Sequence, residues 1–301
     1  MRWLEEFILK IKRNKGLWFT ILSTLSVLGI FISLFFVSYL VEDVAKKTYE
    51  RQYNHYSKNI KNNISQEKKF VLSLSTIAQK NRLVIDRFAA NDENSTSDIS
   101  NISNNLTRSI NSSLERDDIV INFFTSKNSD KAQIINGIIV DSTGTYFQAN
   151  MPFAENNTTF LNISVKESIN VLNTIYNNEN KDLVYLINNS SINKIDHKVI
   201  KKLYSTVNNE YMVQNNLYNE NISKAILTID YSEIKDKGYT KNKDYFFIGE
   251  KTFDVEGKEI GLLLLAEKID DDSLVKIVKS LVNNVTMVAL GLIVSLILFL
   301  F

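Results

Sequence analysis

Gly137-Ile-Ile-Val-Asp-Ser-Thr-Gly-Thr-Tyr-Phe-Gln148 is the stretch on which the reading of the fold turns. β-Branched residues leading in, the turn Asp141-Ser-Thr-Gly144 and a strand-like exit predict an antiparallel hairpin, residues 134–140 against residues 145–150. Alternation at period two sets Tyr146, Gln148 and Asn150 on one face of the outgoing strand, beside Asp141. These four are the candidate ligand-binding residues. The alternative is a strand whose polar face simply looks onto solvent.

Working outward, residues 119–125 (I-V-I-N-F-F-T) predict a further strand. Upstream, nothing between residue 42 and about residue 90 stops a helix, and apolar positions recur at Val44, Tyr49, Tyr53, Ile60, Ile64, Val71, Leu74 and Ile77. One long helix with an apolar face is expected there, packed on its own domain or paired with a second copy as a homodimer. Residues 91–100 form a polar loop, and Ile99, Ile102, Leu106, Ile110 and Leu114 predict a helix running back to about residue 115. Downstream, Val165, Ile169, Leu172, Ile175 and Tyr176 predict a helix, residues 183–187 a strand and residues 194–207 another helix. Strands over 225–229, 245–253 and 259–267 follow, the last two joined by the turn Asp254-Val-Glu-Gly257. The class is α+β, with a long N-terminal helix.

Both ends of the chain are apolar. Residues 17–41 run for 25 positions without a charge, longer than the roughly 30 Å hydrocarbon core requires, and residues 285–301 for 17, a short span as written. The expected division is a cytoplasmic tail over 1–16, a transmembrane helix over 17–41, an extracytoplasmic domain over 42–284 and a second transmembrane helix over 285–301. Arg2, Lys10, Lys12, Arg13 and Lys15 put the N-terminus on the cytoplasmic side of a bacterial inner membrane, with the lipid bilayer as a partner. The acidic run Asp270-Asp271-Asp272 fits the first turn of a helix entering the second span.

Composition excludes several functions. A net charge of +1 gives no footprint for nucleic acid, and the absence of cysteine removes disulfides, thiolate metal sites and cysteine nucleophiles. The two histidines, His55 and His197, have no recognisable catalytic partner, and no nucleotide-binding, metalloprotease or hydrolase motif occurs. The expectation is a protein that is not an enzyme and holds no cofactor or metal.

Two segments carry a resemblance to a known family: Gly137 to Gln148, and Phe253-Asp-Val-Glu-Gly257-Lys-Glu-Ile260-Gly261-Leu-Leu-Leu. They resemble the strand, D-x-x-G turn and strand, and the last hairpin, of Cache domains, the PAS-like extracytoplasmic sensors of bacterial chemoreceptors, sensor kinases and diguanylate cyclases. The resemblance implies one or two PAS-like antiparallel sheets between two membrane spans, a small-molecule ligand near the first hairpin, and transmission of a signal across the membrane. It departs from the family's amino-acid-binding pattern of an Arg and a Trp, because no Trp follows Trp18 and the last Arg is Arg116. A family member would continue into a cytoplasmic signalling domain, so the expectation is the sensory part of a receptor whose output domain lies elsewhere. A polysaccharide chain-length regulator or a structural membrane anchor is the alternative that fits the same two apolar runs.

Overall fold

The computed structural model describes residues 15–90, 95–127, 134–155, 159–177, 181–193, 195–214, 220–269 and 274–300. Contacts divide the chain into one unit of residues 1–52 with 269–301 and another, Tyr53–Lys268.

In the first unit lie the start of helix α1 (Lys15–Gln79) and a C-terminal helix, Leu274–Leu300. Leu25, Leu28, Phe31, Ile32, Phe35 and Phe36 stand exposed, and this part of α1 is long and apolar enough to cross a membrane. In the C-terminal helix the apolar stretch among the described residues, Ser280–Gly291, is shorter than a span. The Asp270-Asp271-Asp272 run lies outside the described residues.

The second unit begins with the rest of α1. Its buried positions Ile60, Glu67, Val71, Leu74 and Ala78 are spaced seven, four, three and four apart, one face of a helix. The helix stops where Lys80 and Asn81 turn, and Asn81 accepts a hydrogen bond from the Leu83 N–H at the start of α2 (Arg82–Ala90). The expected unbroken helix to residue 90 is thus two helices, divided by an asparagine whose side chain competes for backbone donors. Ile77, read as part of the apolar face, is exposed.

Helix α3 (Ser95–Leu114) leads to a sheet of β1 (Ile119–Lys127), β2 (Ile135–Asp141), β3 (Gly144–Glu155) and β4 (Thr159–Ser168), in the order β1-β4-β3-β2, with every neighbouring pair antiparallel. The helix expected from Val165 onward is a correction. Leu161, Ile163 and Val165 alternate on β4, which fills the middle of the sheet between β1 and β3, and only Val171–Asn177 (α4) is helical. Strand β1 is an edge, and α3 covers it. Thr107 and Asn111, one turn apart, exchange hydrogen bonds with the outward backbone of Ile121 and Ile119, and Ser103 donates to the Ile121 carbonyl. These side chains occupy the groups that an open edge would offer to another strand.

The second sheet holds β5 (Lys181–Asn188), β6 (Tyr204–Thr206), β7 (Tyr211–Gln214), β8 (Tyr239–Lys241), β9 (Tyr245–Phe253) and β10 (Glu259–Lys268), in the order β6-β7-β5-β10-β9-β8. Its first and last long strands, β5 and β10, lie side by side at the centre. They are buried on both faces and so read as near-continuous apolar runs, residues 183–187 and 262–266. One face packs Val184, Leu186, Phe247, Leu262 and Leu264 against Ile222, Ile226 and Ile234 of helices α6 (Glu220–Ile226) and α7 (Tyr231–Lys237).

Two further expectations fail here. Residues 225–229 are not a strand, because Ile222 and Ile226, four apart, face this core from a helix. The helix expected over 194–207 shrinks to α5 (His197–Leu203), since Tyr204–Thr206 pairs with β7.

Helix α1 serves both sheets. Ser57 donates to Glu250 on β9 at 2.7 Å, Asn63 to the Tyr176 hydroxyl on α4 at 2.9 Å, and Gln79 to the Pro152 carbonyl on β3 at 3.3 Å. From Ser57 to Gln79 is about 33 Å of helix axis.

Candidate functional site

The register of the first sheet sorts its residues into two faces. Ile119, Ile121, Phe147, Ala149, Leu161, Ile163 and Val165 fall on one, all buried. Opposite them, Gln148 stands beside Lys166, Asn150 beside Ser164 and Tyr146 beside Ser168, with Gly137 and Ile139 on the neighbouring strand. Tyr146, Gln148 and Asn150 therefore share a face as the sequence predicts. It is not an open solvent face: Gln148, Asn162 and Ser164 are only 5–8% exposed.

Gln148 is held on one side. Its Nε2 donates to Asn150 Oδ1 and, at 3.1 Å, to Ser164 Oγ, while its Oε1 is buried without a hydrogen-bond partner. A buried amide oxygen left unpaired is destabilising by about 1–3 kcal/mol, which the two bonds donated by Nε2 offset in part.

Asp141 has a double task at the end of the same face. Its Oδ1 accepts from the Thr143 N–H at 2.7 Å and from the Thr143 hydroxyl, which fixes the turn into Gly144, and its Oδ2 pairs with Lys166 Nζ at 2.7 Å. Burial alone raises this carboxyl, but Lys166 and the Thr143 donors outweigh burial and hold it below the usual carboxylate range. The Lys166 ammonium in turn lies 5.6 Å from the centre of the Tyr146 ring.

The second sheet reaches this face at two points. Val255, in the β9–β10 turn, occupies the space over Gly137, where an added Cβ would stand 2.5 Å from its Cγ1. Gly144, with φ at +151°, has Gln214 Nε2 and the Tyr146 hydroxyl 3.0 and 3.1 Å from where its Cβ would be. Gln214 and Tyr204 stand opposite each other on β7 and β6, and burial pushes the Tyr204 phenol up to about 12. Sequence reasoning missed Asn162, Ser164, Lys166 and Gln214, because their approach depends on strands β4 and β7 that it did not predict.

A second polar group lies on the other face. Arg116, in the loop after α3, stacks 4.3 Å over the Phe70 ring and pairs with Glu67 of α1 and with the fully buried Glu167 of β4. Burial drives the Glu167 carboxyl upward; Arg116 opposes that shift and Glu67 adds to it. Beside it, Leu114, Arg116, Asp118, Val171 and Ile175 help line an open cleft of 580 Å³. His55 is exposed on α1, 3.2 Å from Asn59, and His197 is exposed at the start of α5. No family model matches this chain, and no curated protein matches it.

Proposed function

We propose that the chain is the sensory part of a bacterial membrane receptor, a Cache-like extracytoplasmic region that binds a small molecule on its first sheet and passes the event across the membrane. The observation that carries this reading is the polar face of the first sheet, where Asp141, Tyr146 and Asn150, partly buried, surround the buried Gln148, whose amide oxygen has no partner. A buried face with only structural work to do is more stable when built from apolar residues, as the opposite face of the same sheet is apart from Glu167. The adjacency of the first and last long strands at the centre of the second sheet suits a PAS-like module, and two sheets along one helix suit a double one. On this reading residues 42–284 lie outside the cytoplasmic membrane between spans at 17–41 and 285–301. The N-terminus lies inside, two copies pair along α1, and a signalling domain or partner on the cytoplasmic side receives the signal.

Topology is checked by cysteine labelling, which is clean in a chain without cysteine. A membrane-impermeant maleimide is expected to label Ser112→Cys, exposed on α3, in intact cells with a permeabilised outer layer, and Gly16→Cys only after lysis. The reverse pattern would end the receptor reading. Sensing is checked by fusing the full chain to the signalling half of a chemoreceptor. Output that responds to cell-free medium in the parent, and is lost in Gln148→Ala at equal expression, is the expected result.

A further inference from the structure

The triad on the other face of the first sheet holds two acids and one base. Glu67 Oε2 lies 3.2 Å from Arg116 Nη1, and Glu167 Oε1 bonds the same nitrogen. Glu167 is fully buried and Glu67 nearly so, and the second oxygen of Glu167, Oε2, is buried without a hydrogen-bond partner. With both carboxyls ionised the group keeps one negative charge that no neighbour among the described residues cancels. Ile119 of β1 and Phe147 of β3 flank Glu167 in the sheet, and Tyr176 of α4 is engaged by Asn63. Lys166, beside Glu167 on β4, faces the other way and pairs with Asp141. Lys68, beside Glu67 on α1, is pushed down by burial alone. The remaining charged groups, Asp117 and Asp118 in the loop, are acids, and Asp118 lies close enough to Arg116 and Glu67 to feel both.

A proton resolves the imbalance. One proton kept between the two carboxyls makes the triad neutral, and it turns Glu167 from an acceptor into a donor whose O–H meets Glu67. Burial drives Glu167 upward in that same direction, with Arg116 opposing and Glu67 adding to the shift. The three members belong to separate parts of the chain: Glu67 to α1, Glu167 to β4, and Arg116 to the loop before β1, where it stacks on Phe70 of α1. We infer that Glu67 and Glu167 share one proton, that this proton and Arg116 together clasp α1 to the first sheet, and that loss of the proton loosens the clasp. The ligand of this site is the proton itself, and what α1 registers through it is the acidity of the medium, independently of any molecule on the polar face.

Release is a single proton transfer. The O–H bond of Glu167 breaks, the proton passes to solvent by way of the open cleft of 580 Å³ that Arg116 helps line, and two carboxylates remain on one guanidinium. A buried charge without a counter-charge is costly, and the relief at hand is separation of α1 from β4. Packed interfaces yield in this way by helix shifts of about 1–2 Å. Rising pH therefore weakens the clasp, the sign required of a group whose folded state holds its proton more tightly than the unfolded chain does.

The test uses the full chain in detergent, with nitroxide labels on Ser65→Cys of α1 and Asn122→Cys of β1, both exposed positions in a chain that has no other cysteine. The mean distance between the labels is expected to lengthen by about 1–2 Å as the pH rises from about 5 to about 9. Glu167→Gln and Glu67→Gln each leave one carboxylate for one guanidinium, so either variant should hold the short distance throughout. In the infrared, the parent near neutral pH should show the C=O stretch of a protonated carboxyl that is lost in both variants. A stretch absent from the parent, or unchanged in either variant, would overturn the shared proton. A distance that ignores pH in the parent, or that still lengthens in either variant, would overturn the clasp.

Discussion

Replacing Arg116 with alanine is expected to destabilise the fold by about 3–5 kcal/mol, because it leaves the buried carboxyl groups of Glu67 and Glu167 facing each other without the guanidinium that both engage. Glu167 is fully buried and Glu67 nearly so, and Arg116 is the guanidinium that joins them across α1, β4 and the loop before β1. Native stability is of order 5–15 kcal/mol, so the loss would be visible as a large drop in the urea midpoint followed by tyrosine circular dichroism. A midpoint within experimental error of the parent would show that the triad is solvated and of little weight.

The same triad has a pH signature whose sign can be fixed. Glu167 is raised above its ordinary 4.5, so the folded chain retains a proton that the unfolded chain releases once the pH passes that value. The group's contribution to stability is therefore most favourable below about 4.5 and declines as the pH climbs toward the raised folded-state value. Glu167→Gln, which cannot ionise, should flatten that decline, and an unchanged slope would contradict it.

The second large effect is expected at Gly261. It lies on β10 opposite Ile187, and an added Cβ would come within 2.2 Å of the Leu186 carbonyl oxygen and 2.9 Å of the Tyr185 hydroxyl. The obstacle is the backbone of a central strand rather than the tip of a flexible side chain, so relief requires β5 and β10 to part. Gly261→Ala should cost about 3 kcal/mol, the upper part of the range for overpacking a core. Gly29→Ala, where nothing lies within 4 Å, is the matched control and should be near neutral or mildly stabilising. Equal midpoints for the two variants would mean that the central strands yield freely.

What can be read from the sequence is whatever local chemistry decides. The two hairpins are legible because each carries its own turn, Asp141 to Gly144 and Asp254 to Gly257, between strands of β-branched or apolar residues. Most of the long helix is legible for want of glycine and proline, though not the break at Asn81, which is made by a side chain rather than by a residue that forbids helix. Strand β4 is not legible. Val165, Ile169 and Leu172 mimic helical spacing only because a strand ends and a helix begins between them. That error hides half of the polar face. Tyr146, Gln148 and Asn150 can be aligned by counting in twos along one strand, but Ser164 and Lys166 reach them through pairing across it, which no local pattern encodes.

The adjacency of β5 and β10 has a consequence for how the chain folds. Leu183 pairs with Leu265, so the middle of the second sheet cannot close until the ribosome has passed residue 268, whereas the first sheet is complete in sequence by Ser168. During synthesis Leu183 to Ile187, five consecutive residues that end up buried, wait for β10 while about 80 residues are added, with only the short β7 beside Leu186 to Asn188 in the meantime. Exposed apolar strands of this kind are where aggregation starts, so a delay in the arrival of β10 is expected to raise the aggregated fraction even where the finished sheet is unchanged.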